Sequence, residues 1–388
     1  MLRLSRLLII CGLLLLLPSC SSSTELAQVT ASTVPLPSSA PPLVQATAST
    51  RTPASHGESD ADLMATLMAA PPATTPPAET PVAMSSVART YLTSTLDDMQ
   101  QHYILSRSLD WSEIRRLAFS DAAGARVPAD TYSTSRLALS LLHDPHSRFL
   151  TPDDLKQQQE MATNQPAPYG TRLPGAVGYL SLPTHLFVSS THDPYAEQGV
   201  AAVKMLDQQG VCGWIIDLRN DNGGAVWPML DVVGPILGEG QVGTFIDMAG
   251  NKSIWSYRHG QALLDDQVLS QAPVYEVHHP VPPVAVLTGD MTASAAEAIV
   301  VAFRGRPHTR SFGQPTAGVP TAPGYYTLSD GAQVAVTEAL DVDRSGQSYM
   351  GPITPDEAVP PAVVTGRADD PVVAAALRWL ATQPGCGR

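Results

Sequence analysis

Lysine is scarce in this chain of 388 residues: only Lys156, Lys204 and Lys252 occur. None lies C-terminal to residue 252, which excludes a serine–lysine dyad with its lysine downstream of that point. Basic residues are outnumbered, 23 Lys and Arg against 36 Asp and Glu, and the aromatic share is 6%. A net charge of −13 with so few aromatics argues against nucleic acid as a partner. Cysteine is limited to four residues. Cys11 and Cys20 sit in the N-terminal stretch, whereas Cys212 and Cys386 are far apart, and spacing leaves both a disulfide and two free thiols open. The apolar run that opens the chain is too short for a comfortable membrane span. What is abundant is apolar sequence of ordinary kind, at 44%, enough for one large or two smaller domains with a full core.

Residues 1–20, MLRLSRLLIICGLLLLLPSC, place Arg3 and Arg6 before a short apolar core, the layout of a secretory signal. The stretch resembles a bacterial lipoprotein signal, which implies lipidation at Cys20, a membrane partner through that anchor, and a folded part exported to the cell envelope. Pro18, two positions before the cysteine, leaves ordinary cleavage or an uncleaved anchor as alternatives. Residues 21–84 are dominated by Ser, Thr, Pro and Ala, a composition that cannot offset the entropy of folding. They read as a disordered tether spanning roughly 40–50 Å root mean square. Residues 85–160 read as a helical subdomain, with helical periodicity over Val87–Tyr103, Trp111–Ala123 and Asp130–Leu142, the second opened by Asp110 as a cap. It ends in the polar loop HDPHSRFLTP, residues 143–152, where prolines forbid helix continuation. A polar link runs on through Pro168.

Residues 170–385 carry an α/β pattern. Val211–Leu218 is an apolar run of the kind found in buried strands, and it breaks at Arg219-Asn220-Asp221-Asn222-Gly223-Gly224. Paired glycines there let the backbone turn sharply and present N–H groups to a ligand, although an ordinary turn has the same composition. Val284–Leu287 reads as a second buried strand, followed by a helix from Ala295. Ser294 stands at the handover, where helical N–H groups and the helix dipole favour developing negative charge. Ser294-Ala-Ala-Glu297 is equally a capping box, in which the serine only caps the helix.

A serine nucleophile needs a base. Of the ten histidines, His56 lies in the tether, His102 falls on the first helix, His143 and His146 fall in the one polar loop that interrupts the helical region, and His185, His192, His259, His278, His279 and His308 have no supporting motif. A metal site from His143, Asp144 and His146 has ligand-like spacing, but three neighbouring loop residues lack the distant partners such a site needs. No metal and no cofactor are expected.

In order along the chain, LLHDPHSRFLTP, GYLSLP, GWIIDLRNDNGG, VLTGDMTASAAEA, GQPTAG and GPITPDE resemble the tail-specific (C-terminal processing) serine peptidases and their tricorn-core relatives, over essentially Ser85 to the C-terminus. The resemblance implies an α/β fold, a crotonase/ClpP-like spiral core of the tail-specific protease type, preceded by the small helical subdomain. It implies a serine-type endopeptidase acting on peptides or unfolded protein. Ser294 falls on the family nucleophile, and the N–H groups of Gly223, Gly224 and Ala295 fall on the oxyanion hole. In the processing proteases the segment matching GQPTAGVP carries a lysine where Val319 stands here, and a PDZ domain occupies a place for which there is no room between Leu155 and Ala176. Both departures point to the tricorn-like branch, whose histidine base falls on His146. Orienting groups in that branch suggest Ser147, Asp343 and Glu297 here, with Tyr349 near the place of the family glutamate; Asp217 is expected to fix the glycine turn. A non-catalytic peptide- or ligand-binding protein on the same fold is the rival expectation, and an acyl-CoA enzyme a poorer third.

Overall fold

A computed structural model describes residues 83–186, 190–361 and 363–387. The signal with Cys20, and the tether apart from Ala83 and Met84, lie outside the described residues.

The chain enters through three helices, α1 (Ser86–His102), α2 (Trp111–Asp121) and α3 (Tyr132–Ser140), each within two residues of the boundaries expected from periodicity. Ser85 caps α1 by accepting the Ala88 N–H at 3.1 Å, and Asp110 caps α2 by accepting that of Glu113 at 3.1 Å. After β1 (Arg148–Leu150) the supposed polar link begins with a helix, α4 (Pro152–Ala162). Pro152 starts this helix rather than barring it: proline suits the first helical position, and Thr151 and Asp154 satisfy each other's N–H groups at 3.1 and 2.9 Å. No residue of α4 is buried, so it has no apolar stripe for periodicity to detect.

The remaining elements are a mixture of strands and helices. They are β2 (Tyr169–Leu173), β3 (Val177–Ser181), α5 (Pro194–Gln208), β4 (Gly213–Asp217), α6 (Val226–Leu237), β5 (Gly240–Asp247), β6 (Lys252–Arg258), β7 (Gln261–Leu264), β8 (Gln267–Gln271), β9 (Val284–Thr288), α7 (Ala295–Phe303), β10 (Thr309–Gly313), β11 (Thr321–Thr327), β12 (Gln333–Val342), β13 (Ser348–Tyr349), β14 (Glu357–Ala358) and α8 (Pro371–Leu380). One sheet runs β14-β10-β9-β4-β3-β2, parallel except for the edge hairpin strand β2. Its central strands β4 and β9 are buried at every residue, which is why they read as unbroken apolar runs. The second sheet is antiparallel, β1-β12-β5-β6-β7-β8, with β11 and β13 on the other side of β12.

Three apolar clusters hold this together. The largest packs β4 and β9 with α6 and α7 and reaches Phe245 and Trp255 of the antiparallel sheet. Helices α1–α3 cover one face of β12, so that Leu92, Leu96 and Met99 share a core with Val334 and Val336. Helix α8 closes the parallel sheet over Ile215, Leu287 and Phe312. Cys212 and Cys386 form a disulfide, with Cα atoms 5.2 Å apart. That resolves the pairing left open by spacing and ties the segment after α8 to the start of β4.

Candidate active site

Ser294 sits in the left-handed region, with φ 54° and ψ −116°. For a residue with a Cβ this costs on the order of 1–3 kcal/mol and persists only where the surroundings over-determine it. The surroundings here are the end of β4. Ala293 N–H donates to the Asp221 carbonyl at 3.1 Å, and Thr292 Oγ1 donates to the Leu218 carbonyl at 2.9 Å. Gly223, with φ 91°, lies against the turn so closely that a Cβ would come within 2.5 Å of the Ala293 carbonyl oxygen and 2.9 Å of Ser294 Cβ. Only glycine fits there.

The serine hydroxyl makes no cap hydrogen bond. It lies 2.9 Å from His146 Nε2. Burial holds this imidazole well below its ordinary value, at about 4, with the Asp144 carboxylate pulling upward and the Arg148 cation pushing down. His146 is therefore neutral at physiological pH while Ser294 remains half-buried and reachable. On the far side of the ring, Nδ1 lies 2.6 Å from Thr321 Oγ1 at the start of β11.

The three acids and hydroxyls expected to orient the histidine stand elsewhere. Ser147 Oγ donates to Asp144 Oδ2 at 2.5 Å and accepts the Thr337 N–H at 3.0 Å, fastening the histidine loop to β12. Asp343 builds the turn after β12, accepting from Ser345 N and Oγ, Gln347 N and the Tyr349 hydroxyl at 2.6–3.1 Å. Glu297 is fully buried and accepts four bonds: from Ser294 N (2.9 Å), Thr316 Oγ1 (2.5 Å), Gly318 N (2.9 Å) and Val319 N (2.9 Å). Its carboxyl is raised by burial against those four donors. It organises the loop bearing Val319 and holds the serine backbone; the Nδ1 partner is Thr321, which sequence reasoning missed because a strand threonine carries no motif.

The glycine turn divides the expected oxyanion donors. Gly223 N–H is committed to Asp221 Oδ1 at 2.8 Å, so that donor has to be struck from the set in this conformation. Gly224 is exposed, and its N–H and that of Ala295 have no acceptor among the described residues. Asp221 is wholly buried, its other oxygen is unpartnered, and burial pushes its carboxyl up to about 8. Asp217, expected to fix the glycine turn, makes no hydrogen bond to Gly223 or Gly224; it forms a bidentate pair with Arg219 (2.9 and 2.6 Å), and the same guanidinium donates to Asp370, the cap of α8, at 3.0 Å. Beneath the turn, His185 N–H donates to the Gly223 carbonyl at 3.1 Å and its ring meets Asp193 at 3.1 Å.

A serine on a strained strand-to-helix turn, faced by a neutral histidine on a curled α/β scaffold, is a layout of the serine-peptidase class. Residues 176–359 match the model of Peptidase family S41, so this stretch is an S41-type domain. A nisin-resistance protein of Lactococcus lactis subsp. lactis is 23% identical over 76% of this chain and 87% of its own length. The chloroplastic carboxyl-terminal-processing peptidase 2 of Arabidopsis thaliana is 25% identical over 58% of this chain, but the match spans only 40% of that protein. Among solved structures, a lipoprotein from Streptococcus agalactiae superposes with a TM-score of 0.61 at 22% identity, covering 77% of this chain and 98% of the other. The photosystem II D1 C-terminal processing protease gives 0.54 at 19% identity, covering 75% and 97%. The fold is thus the spiral α/β core of the tail-specific protease type, with a helical N-terminal portion. Among the described residues no helix is long and apolar enough to cross a membrane.

Proposed function

We propose that this protein is a serine endopeptidase that hydrolyses peptides through an acyl-enzyme on Ser294. The observation that carries the reading is the 2.9 Å contact between His146 Nε2 and Ser294 Oγ, formed by a histidine that burial keeps neutral. With Nδ1–H donated to Thr321 Oγ1, the Nε2 lone pair faces the serine and takes its proton as Oγ attacks the scissile carbonyl. The N–H groups of Ala295 and Gly224 receive the oxyanion, aided by the N-terminus of α7. His146 returns the proton to the departing amine, and water then releases the acyl group by the same route reversed. Val319, presenting an aliphatic side chain and a backbone N–H held by Glu297, supplies no base.

We place the protein in the cell envelope, tethered by residues 21–84 and anchored through lipidated Cys20, with the region 85–160 and the core 170–385 outside the cytoplasm. The names of its relatives, a lipoprotein and a nisin-resistance protein, support that placement and favour envelope-reaching peptides as substrates. The absence of a carboxylate on His146 Nδ1 favours a second reading, a non-catalytic protein that only holds such peptides. Labelling with a fluorophosphonate probe separates them. The peptidase reading expects labelling of the wild type, none of Ser294→Ala, and a loss of two or more orders of magnitude in rate for His146→Ala. Persistent labelling of Ser294→Ala, or no labelling of any form, refutes it.

A further inference from the structure

In a chain with 36 acidic against 23 basic residues, one arginine beside the site stands without an acid. Arg148 is exposed and has no carboxylate within 4 Å among the described residues; Arg115, Arg116 and Arg136 of the same region each hold one, and Arg89, Arg107 and Arg126, like Arg148, do not. Its guanidinium instead donates to the Tyr325 hydroxyl at 3.2 Å. Arg148 and Tyr325 are both in register with Ala335 of β12, on the strands to either side of it. The three therefore share one face of the sheet. Phe149, next along β1, points the other way into the core under α1–α3. The Arg148–Tyr325 pair thus lies on the face of the sheet turned away from α1–α3. Arg148 is two positions along the chain from His146, so their Cα atoms are at most about 7 Å apart, and the imidazole feels its charge.

An exposed cation held by a neutral hydroxyl keeps donors free for an anion, and a guanidinium matches a carboxylate in two parallel bonds. We propose that Arg148, braced by Tyr325, is a subsite for a carboxylate of the peptide substrate, placed about two residues from the scissile bond. This rests on the peptidase reading for its orientation. The carboxylate is either the free C-terminus of the peptide or an aspartate or glutamate side chain.

The test measures affinity by calorimetry in Ser294→Ala, where no turnover is needed, and kcat/KM in the wild type. The peptides form matched pairs: free acid against C-terminal amide, and internal Asp against Asn at successive positions. One pair is expected to show a preference for the carboxylate of about five- to tenfold, falling to about one on adding Arg148→Met and partly restored by Arg148→Lys. Raising the salt concentration should shrink it. Which pair responds identifies the source of the carboxylate. Equal affinities within every pair, a preference that survives Arg148→Met, or no binding of any peptide would overturn the subsite. Failure of fluorophosphonate labelling alone would overturn the catalytic reading and leave the affinity measurement decisive for this one.

Discussion

The pH dependence of turnover tests the geometry around His146 directly. An exposed histidine titrates near 6.5, whereas burial lowers this one to about 4. If the neutral imidazole is the base, the rate at pH 5.5 relative to pH 7.5 should be about 0.97 for the buried ring, against about 0.1 for an ordinary histidine. The same shift bears on stability. The unfolded chain binds the proton near pH 6.5 and the folded chain only near pH 4, so the unfolded state carries more protons in between. The contribution is fully present above about pH 6.5 and is lost as pH falls through that window, by about 3 kcal/mol at most. Activity should therefore be read as initial rates of kcat/KM from pH 4 to 8 on pre-equilibrated protein, with the folded fraction followed by near-ultraviolet circular dichroism at each pH. A single acid limb with its midpoint below pH 5, in protein still folded there, is expected. A midpoint at 6–7 with the fold intact would refute the argument that burial sets the base.

Other perturbations probe single contacts. Thr321→Val removes the hydroxyl at His146 Nδ1 and should lower kcat about tenfold with little change in KM, Thr321→Ser restoring most of it; an unchanged kcat in Thr321→Val would exclude a positioning role. Asp221→Asn keeps an acceptor for Gly223 N–H while removing a carboxyl that burial pushes up to about 8. Wild type should lose stability as pH rises from about 4 to 8, because the folded state then resists ionisation, and the variant should not; a pH-independent difference in Tm between the two would sink this. Arg219→Met leaves Asp217 and Asp370 buried without their shared cation and should cost about 3–5 kcal/mol in chemical denaturation, where a loss below 1 kcal/mol would contradict the triad. Cys212→Ser should destabilise by about 2–4 kcal/mol in non-reducing buffer and leave the reduced wild type and the variant alike.

Legibility followed the range of the interactions. The buried strands β4 and β9, the helices α1–α3 and the elbow at Ser294 could be read because burial on both faces, a helical stripe or a glycine turn writes itself into adjacent residues. Helix α4 could not, since it buries nothing and depends on a cap whose proline also suits a loop. The strained φ of Ser294 left no local trace, and the capping box concealed it: Glu297 does receive the serine N–H, but for a loop bearing Val319 as much as for the helix.

What the sequence by itself determined is the set of parts: a serine at a strand–helix handover, a histidine in a proline-bounded polar loop, a glycine turn after a buried strand, and no lysine to follow. Each is encoded in a few consecutive residues whose propensities agree. Which parts meet was decided by tertiary structure alone. Packing of α7 against β12 and fastening of the histidine loop by Ser147 bring His146 to Ser294, put a threonine rather than an acid behind the ring, and turn Gly223 N–H toward Asp221 instead of the substrate. Those pairings join residues from separate strands and loops, and their geometry depends on sheet register and burial, which no local pattern specifies.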